Sequence, residues 1–248
     1  MTAAAVPLIP RLGGARIVAV DLPGHGLSDP LVLDPHGDLR ATLASVVDAV
    51  VDDLDAGPVD LVGHSLGGQT ALYFALAHPD KVRRLVLLGA PGAGFAGVEP
   101  VAAMKAFSIP GVGRAILSLP ASLEAYEKNS EALLGPHALD GYPREIAEVG
   151  WLAAKRRGFA RSVSSYFRTL ITPRGVREGI ALTMAQLGSI AAPTLMIWGD
   201  ADVFLTPAVG RASIEAIPGS RLVEVVGGHA PWLDRLEESG AAIGGFLG

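Results

Sequence analysis

The chain of 248 residues contains no cysteine. This absence excludes disulfide bonds, thiolate metal sites and a cysteine nucleophile, and it permits a cytosolic protein. Charged residues are also few, at 18%, and Lys and Arg form no basic block, while the formal net charge is -5. Because nucleic-acid binding requires a basic surface, the composition argues against a nucleic-acid partner and favours a small neutral or apolar ligand.

The sequence also lacks a clear membrane-spanning run. The one long uncharged stretch, 179–199, is interrupted by Gln186, Ser189 and Pro193, so it predicts a helix ending near Gly188, a turn and a buried strand rather than a membrane span. The first ten residues have neither a basic region nor an apolar core of secretory length. We therefore expect a cytoplasmic protein with no membrane partner.

Apolar runs and amphipathic stretches alternate along the chain, which is typical of an α/β fold with a mostly parallel sheet covered on both faces. The predicted strands are Ile17–Val20, Val59–Val62, Arg84–Leu88, Thr194–Trp198 and Arg221–Val226. The predicted helices begin near Asp38, run over Leu66–Ala77 and Ala208–Ala216, and end with Trp232–Phe246.

The segment between the third and fourth predicted strands is much longer than a crossover between parallel strands requires, which is about a dozen residues. Its helix-forming stretches are broken by prolines such as Pro110, Pro120 and Pro173. We therefore predict an inserted helical cap at 92–189, with 1–91 and 190–248 forming the core domain.

A Gly-x-Ser-x-Gly motif at Gly63, Ser65 and Gly67 follows an apolar strand and precedes a helix. This is the strand-turn-helix setting of a nucleophile elbow, in which the serine has strained backbone geometry and the two glycines avoid collisions. The alternative is that Ser65 merely caps the helix. The motif predicts Ser65 as a nucleophile.

A serine nucleophile requires a base, and a histidine base requires a carboxylate that orients it. His229 follows the last predicted strand, at the sheet edge where α/β active sites assemble. Asp200 and Asp202 both follow the strand that ends at Trp198. We predict His229 as the base and Asp202 as its partner, with Asp200 capping the turn.

These motifs occur in the chain order nucleophile, acid, base, and they resemble the α/β-hydrolase superfamily. The similarity is to its cap-bearing branch, which contains carboxylesterases, lactonases and carbon–carbon hydrolases. Val20–Asp29 resembles the strand and turn after the family's first core helix, and Gly63–Gly68 resembles its elbow. Trp198–Asp202 and Gly228–Trp232 resemble its acid and histidine loops. The resemblance implies an α/β-hydrolase fold from Ile17 to the end of the chain.

The chain departs from the family at its N-terminus. Relatives carry an apolar strand ending in a His-Gly motif before the segment that resembles Pro7–Gly14, and that strand is missing from this sequence. In the family it lies between the strands matched by Ile17–Val20 and Val59–Val62, and its loop supplies one oxyanion-hole amide. The other amide comes from the residue after the nucleophile, here Leu66. We expect either a sequence whose recorded start is internal or a natural variant whose sheet has closed over the gap.

The prediction is a serine hydrolase that cleaves a small, largely apolar carboxylic ester through an acyl-enzyme, without metal or cofactor. Ser65, His229 and Asp202 form the triad and Leu66 the oxyanion hole. The aromatic residues of the cap are candidates for lining the substrate pocket, although core packing would explain them equally well: Trp151, Phe159, Tyr166 and Phe167.

Two alternatives remain open. A carbon–carbon hydrolase of ring-cleavage products would share this triad and would need a cap arginine to hold a substrate carboxylate, for which Arg156, Arg157 or Arg161 could serve. A non-catalytic protein, either a truncated relic or a binding module, would fit the missing oxyanion loop.

Overall fold

A four-stranded parallel sheet is the centre of the computed structural model, which describes residues 2–14, 16–55, 57–135, 137–140 and 144–248. Its strands lie in the order β1-β2-β5-β6, and a two-residue antiparallel hairpin, β3-β4, is separate from it. The six strands are β1 (Val59–His64), β2 (Val82–Leu88), β3 (Ile171–Thr172), β4 (Gly175–Val176), β5 (Thr194–Gly199) and β6 (Arg221–Val225).

Helices flank the sheet and fill the segment between β2 and β5. Outside that segment are α1 (Leu39–Asp53), α2 (Leu66–Ala77), α9 (Pro207–Glu215), α10 (Pro231–Asp234) and α11 (Leu236–Leu247), with 3-10 helices at Thr2–Arg11 and Pro79–Lys81. Within it are α3 (Ala102–Phe107), α4 (Val112–Leu117), α5 (Leu123–Leu134), α6 (Arg144–Ala154), α7 (Phe159–Leu170) and α8 (Met184–Gly188). The predicted boundaries of the core and cap domains stay a prediction.

The core has two parts, one on each face of the sheet. Successive residues of a strand point to opposite faces, and on β2 the side chains of Leu85 and Leu87 join one apolar cluster while those of Val86 and Leu88 join the other. The first cluster contains residues of α1 and α2, and the second contains residues of the N-terminal 3-10 helix and α11. The predicted α/β class, a parallel sheet covered on both faces, is confirmed.

Most element boundaries follow the sequence patterns closely. The helix predicted to begin near Asp38 does so, because the Asp38 carboxylate accepts a hydrogen bond from the Ala41 amide and caps α1. The predicted C-terminal helix is wrong in one respect. It is two helices, α10 and α11, because Arg235 has the non-helical angles φ -136° and ψ 67°.

The strand predicted at Ile17–Val20 is wrong: the segment pairs with no strand in the described structure, and Ile17, Val18 and Val20 are exposed. A strand is stabilised by pairing with a neighbour, and β1 forms the outer edge of the sheet with Val62 on it 41% exposed.

None of the helices in the described ranges combines the length and apolar character that crossing a bilayer requires.

Candidate active site

The turn between β1 and α2 places Ser65 in a strained conformation. Its φ is 51° and its ψ is -120°, a positive φ that non-glycine residues rarely adopt and that is typical of functional sites. A side chain on Gly63 would lie 2.6 Å from the carbonyl oxygen of Gly67, so the turn tolerates only glycine at position 63. At Gly67 an added Cβ would meet nothing within 4 Å, so the steric role predicted for that glycine was wrong.

The side chain of Ser65 makes no capping hydrogen bond to α2. The alternative that Ser65 merely caps the helix is therefore not supported. Leu66 is the first residue of the helix, so its backbone N–H has no intrahelical acceptor. The partial positive charge of the helix N-terminus also favours an anion there. The turn thus presents a hydroxyl beside an N–H group that can hold an oxyanion.

His229 and Asp202 form a buried pair. The Nδ1–H of His229 donates to Oδ2 of Asp202 over 2.9 Å, and the two residues are 3% and 2% exposed. Asp202 also accepts hydrogen bonds from the amides of Ala90 (2.8 Å) and Phe204 (3.0 Å). Burial opposes ionisation of the carboxyl, but these hydrogen bonds and the interaction with His229 together lower the pKa of Asp202.

The other ring nitrogen of His229, Nε2, is buried and has no hydrogen-bond partner among the described residues. Because Nδ1 carries the proton that Asp202 accepts, Nε2 carries the lone pair that a general base uses. The ring of Phe204 packs edge-on against the imidazole, with 4.5 Å between ring centroids. The geometry therefore holds a single tautomer of His229.

The backbone of His229 is held by the residue that precedes Ser65. His64, the last residue of β1, donates from Nε2 to the carbonyl oxygen of His229 over 3.0 Å. Its ring also packs edge-on against Trp232, with centroids 4.7 Å apart. Burial above all places the pKa of His64 well below its ordinary value, so this imidazole is neutral.

The end of β2 approaches the same loop. A side chain on Gly89, where φ is 63°, would collide with the carbonyl oxygen of His229, and the next amide, that of Ala90, binds Asp202. Asp200, two residues before Asp202, accepts a hydrogen bond from the Gly227 amide over 3.1 Å and holds the turn before the histidine loop. The roles of Gly89 and Ala90 had no sequence signal, because they depend on which strands are adjacent.

Ser65 and His229 line one cavity of about 180 Å³. The inserted helices contribute Tyr166 and Phe167, two of the predicted lining residues, and the turn after residue 20 contributes His25. The rest of the wall is mostly apolar: Leu66, Val98, Pro100, Met104, Val163, Leu170, Ile171 and Phe204, together with Gln69, Gly92 and Ala93. Within the described residues, no lysine or arginine lines this cavity.

The other two predicted lining residues lie outside the cavity, which corrects the prediction for them. Trp151 on α6 donates from its indole N–H to the carbonyl of Ala121 over 2.8 Å, and the Lys155 ammonium lies 3.2 Å from its ring centroid. Phe159 is the first residue of α7, about two turns before Tyr166. The sequence does not show which aromatic residues of this segment face Ser65, because that depends on how the helices pack.

None of the three candidate arginines lines the cavity. Arg156 donates to the carbonyl oxygen of Gly26 over 2.8 Å, and neither Arg157 nor Arg161 lines the cavity. No group of three or more metal-ligating side chains occurs in the part of the chain that the structure describes.

Comparisons with known proteins agree with this architecture. The model of the alpha/beta hydrolase family matches residues 2–240. A 2-hydroxy-6-oxononadienedioate/2-hydroxy-6-oxononatrienedioate hydrolase from Cupriavidus pinatubonensis is 31% identical over 212 residues, which cover 84% of this chain and 68% of that protein. A pimeloyl-(acyl-carrier protein) methyl ester esterase from Neisseria meningitidis is 29% identical, with 97% of this chain and 86% of that protein covered.

Solved structures share the fold. A meta-cleavage product hydrolase from Pseudomonas fluorescens superposes with a TM-score of 0.75 at 21% identity, covering 99% of this chain and 84% of that one. A carboxylesterase from Bacillus subtilis gives a TM-score of 0.71 at 22% identity, covering 99% and 79%. Because the family model matches residues 2–240 of this chain, the chain belongs to the alpha/beta hydrolase family and is an α/β-fold hydrolase.

Proposed function

We propose that this protein hydrolyses a small, largely apolar carboxylic ester through an acyl-enzyme formed on Ser65. The observation that carries the proposal is the shared cavity. Ser65 and His229 line one space whose wall is mostly apolar and, in the described residues, free of lysine and arginine, and Nε2 of His229 has no hydrogen-bond partner among them. Such a wall favours a neutral acyl group over a charged one.

In the first step, Nε2 of His229 takes the proton of the Ser65 hydroxyl while Oγ attacks the ester carbonyl. The carbonyl oxygen becomes an oxyanion, and the N–H of Leu66 stabilises it. Asp202 stays ionised and stabilises the imidazolium. The intermediate collapses when His229 returns its proton to the leaving alkoxide, which departs as an alcohol.

In the second step, a water molecule loses a proton to His229 and attacks the acyl carbon of the ester on Ser65. The new tetrahedral intermediate expels the Ser65 oxygen, which regains its proton from His229, and the carboxylic acid leaves. Every proton that the reaction needs passes through His229, so no cofactor is required. The cavity of about 180 Å³ is smaller than the roughly 300 Å³ at which drug-sized sites begin, which favours a short acyl chain.

A carbon–carbon hydrolase is the second candidate, because a relative at 31% identity is named as a dienedioate hydrolase. A substrate carboxylate buried beside Ser65 would require a paired cation. Arg156 instead binds the carbonyl of Gly26, and Arg157 and Arg161 are absent from the cavity wall. The other relative is named as a methyl ester esterase, so an ester substrate agrees better with this wall.

The test is a comparison of kcat/KM for 4-nitrophenyl esters from acetate to octanoate with that for dienone acids. The proposal predicts turnover of the short esters, loss of that turnover in Ser65→Ala, and little cleavage of the acids. Efficient cleavage of dienone acids, with little turnover of the esters, would establish the carbon–carbon hydrolase instead. A folded protein that turns over neither class would support a binding protein.

A further inference from the structure

Five buried side-chain polar atoms have no hydrogen-bond partner among the described residues, and two of them belong to residues that line the catalytic cavity. One is Nε2 of His229, which the proposed mechanism uses. The other is the hydroxyl of Tyr166, a residue only 2% exposed. A buried hydroxyl without a partner is unfavourable, so the hydroxyl of Tyr166 needs an acceptor that the mechanism does not supply.

The remaining polar side chains of the wall already have partners. Gln69 donates to the Tyr73 hydroxyl over 2.7 Å and accepts from the Ala93 amide over 3.0 Å, so both ends of its amide are engaged. His25 interacts through Nδ1 with the carbonyl oxygen of Pro23 at 3.3 Å. Outside the catalytic pair, the Tyr166 hydroxyl is thus the buried side-chain polar atom of this wall that has no partner among the described residues.

The ring of Tyr166 is fixed before any ligand arrives. It packs edge-on against His25 with centroids 5.1 Å apart. The helix that carries it, α7, is anchored because the Ser165 hydroxyl accepts from the Leu33 amide over 2.9 Å. A side chain at Gly24 would collide with Ser162 on the same helix, so the turn around residue 24 packs tightly on α7. The hydroxyl is therefore preorganised.

Burial raises the pKa of Tyr166 to about 12, so the phenol keeps its proton at any pH at which the enzyme would work. A protonated phenol donates one hydrogen bond. In the described wall there is no lysine or arginine beside it to neutralise an anion, so the acceptor that fits is a neutral oxygen such as an ether, ketone or hydroxyl oxygen.

We propose that Tyr166 is a specificity-determining residue that donates a hydrogen bond to a second, neutral oxygen in the acyl chain of the substrate. In the proposed mechanism the scissile carbonyl is bound by Ser65 and Leu66 at the end of β1, whereas Tyr166 is on a different element, the inserted helix α7. This inference rests on the proposed ester hydrolysis and narrows it to oxygen-bearing acyl groups. A buried donor left unpaired by a plain alkyl chain disfavours that chain by roughly 10- to 100-fold.

The experiment uses four 4-nitrophenyl esters of nearly equal shape: hexanoate, 2-propoxyacetate, 3-ethoxypropanoate and 4-methoxybutanoate. The three ethers place one oxygen at successive positions along the chain. Each kcat/KM is divided by the rate of hydroxide-catalysed hydrolysis, which removes differences in intrinsic reactivity. The inference predicts that one ether exceeds hexanoate by about 10-fold or more. Three ethers no better than hexanoate would overturn it.

The variant Tyr166→Phe keeps the ring against His25 and removes only the hydroxyl. We expect the ratio of the favoured ether to hexanoate to fall to about 1. The matched control is Tyr126→Phe, which removes a partly buried hydroxyl on α5 outside the cavity and leaves the ratio as in the wild type. An equal loss for all four esters in Tyr166→Phe would assign Tyr166 to packing or to the scissile carbonyl and would overturn the inference.

Binding to Ser65→Ala separates this inference from the proposed function. The variant has no nucleophile, so calorimetry measures the affinities of hexanoate and the three ethers without turnover. Preferential binding of one ether that is lost when Tyr166→Phe is added supports the role of Tyr166 even if the wild type hydrolyses no ester. Equal affinities with and without the Tyr166 hydroxyl overturn it, whatever the activity.

Discussion

The Nε2–H of His64 donates to the backbone carbonyl of His229 over 3.0 Å, so the residue before Ser65 holds the loop that carries His229. Because Ser65 and His64 are adjacent in the chain, this hydrogen bond links the turn that holds Ser65 to the loop that holds His229. The ring of His64 packs edge-on against Trp232, whose indole N–H donates a hydrogen bond to the carbonyl oxygen of Ala4 over 2.9 Å. The N-terminal 3-10 helix therefore supports the histidine loop.

Replacing His64 tests this positioning role. We expect His64→Phe, which keeps an aromatic ring against Trp232 but removes the donor, to lower kcat about 10-fold with a smaller effect on KM, since a small displacement of the base slows proton transfer. His64→Gln restores an N–H donor and should recover part of the loss. Equal kcat in His64→Phe and the wild type would show that the hydrogen bond does not position His229.

His64 also makes stability depend on pH. Its pKa in the folded protein lies well below 6.5, chiefly because the ring is buried. As the pH falls below about 6.5, the unfolded chain takes up a proton that folded His64 does not, so the free energy of unfolding decreases. His25, which is half-buried and whose pKa is also lowered, chiefly by desolvation, acts in the same direction.

Urea unfolding of the wild type between pH 8 and pH 5 measures this slope. His64→Phe should flatten it, whereas His36→Gln, at an exposed position, should leave it as it is. A slope that stays the same in His64→Phe would contradict the assignment.

The two glycines of the elbow provide a matched pair. Gly63→Ala places a Cβ 2.6 Å from the Gly67 carbonyl oxygen, so we expect a loss of roughly 2–3 kcal/mol in the free energy of unfolding. Gly67→Ala adds a methyl group to a helix where nothing lies within 4 Å, so it should be neutral or stabilising by up to about 1 kcal/mol. Thermal unfolding of both variants decides, and equal destabilisation would contradict this geometry.

Replacing the two aspartates that follow β5 should have very different effects on kcat. Asp202→Asn keeps the shape of the His229 partner but not its charge, and we expect kcat to fall by roughly 10⁴-fold, as when the acid of a triad is neutralised. Asp200→Asn should cost much less, since Asp200 bonds the Gly227 amide and not the imidazole. Steady-state kinetics on a short 4-nitrophenyl ester distinguish the two variants. A larger loss of kcat in Asp200→Asn than in Asp202→Asn would assign the role of His229 partner to Asp200 instead.

Local sequence signals predicted the parts of the structure that depend on local chemistry. The Asp38 cap, the helix Leu66–Ala77 and the strand around Thr194–Trp198 each follow from a pattern within a few residues. The pairing of Asp202 with His229 could also be predicted, because both residues follow strands that prove to be neighbours. Parallel strands bring their carboxyl ends to one edge, so motifs far apart in sequence meet there.

The parts that sequence reasoning missed depend on long-range partners. Ile17–Val20 has the composition of a strand, yet it forms none because the described sheet ends at β1. Trp151 and Tyr166 have the same apolar character, yet only Tyr166 faces the cavity, since orientation is set by how α6 and α7 pack. The partner of His64, the backbone carbonyl of His229, could not be named from the sequence, because it lies 165 residues away in the chain.

The central claim is that Ser65 is an activated nucleophile, and labelling by a fluorophosphonate tests it most directly. Intact-mass measurement of the folded wild type should show a single adduct, and peptide mapping should place it on Ser65. The adduct should be lost in Ser65→Ala and its formation strongly slowed in Asp202→Asn. Absence of labelling in folded wild type, or labelling that persists in Ser65→Ala, would contradict the account.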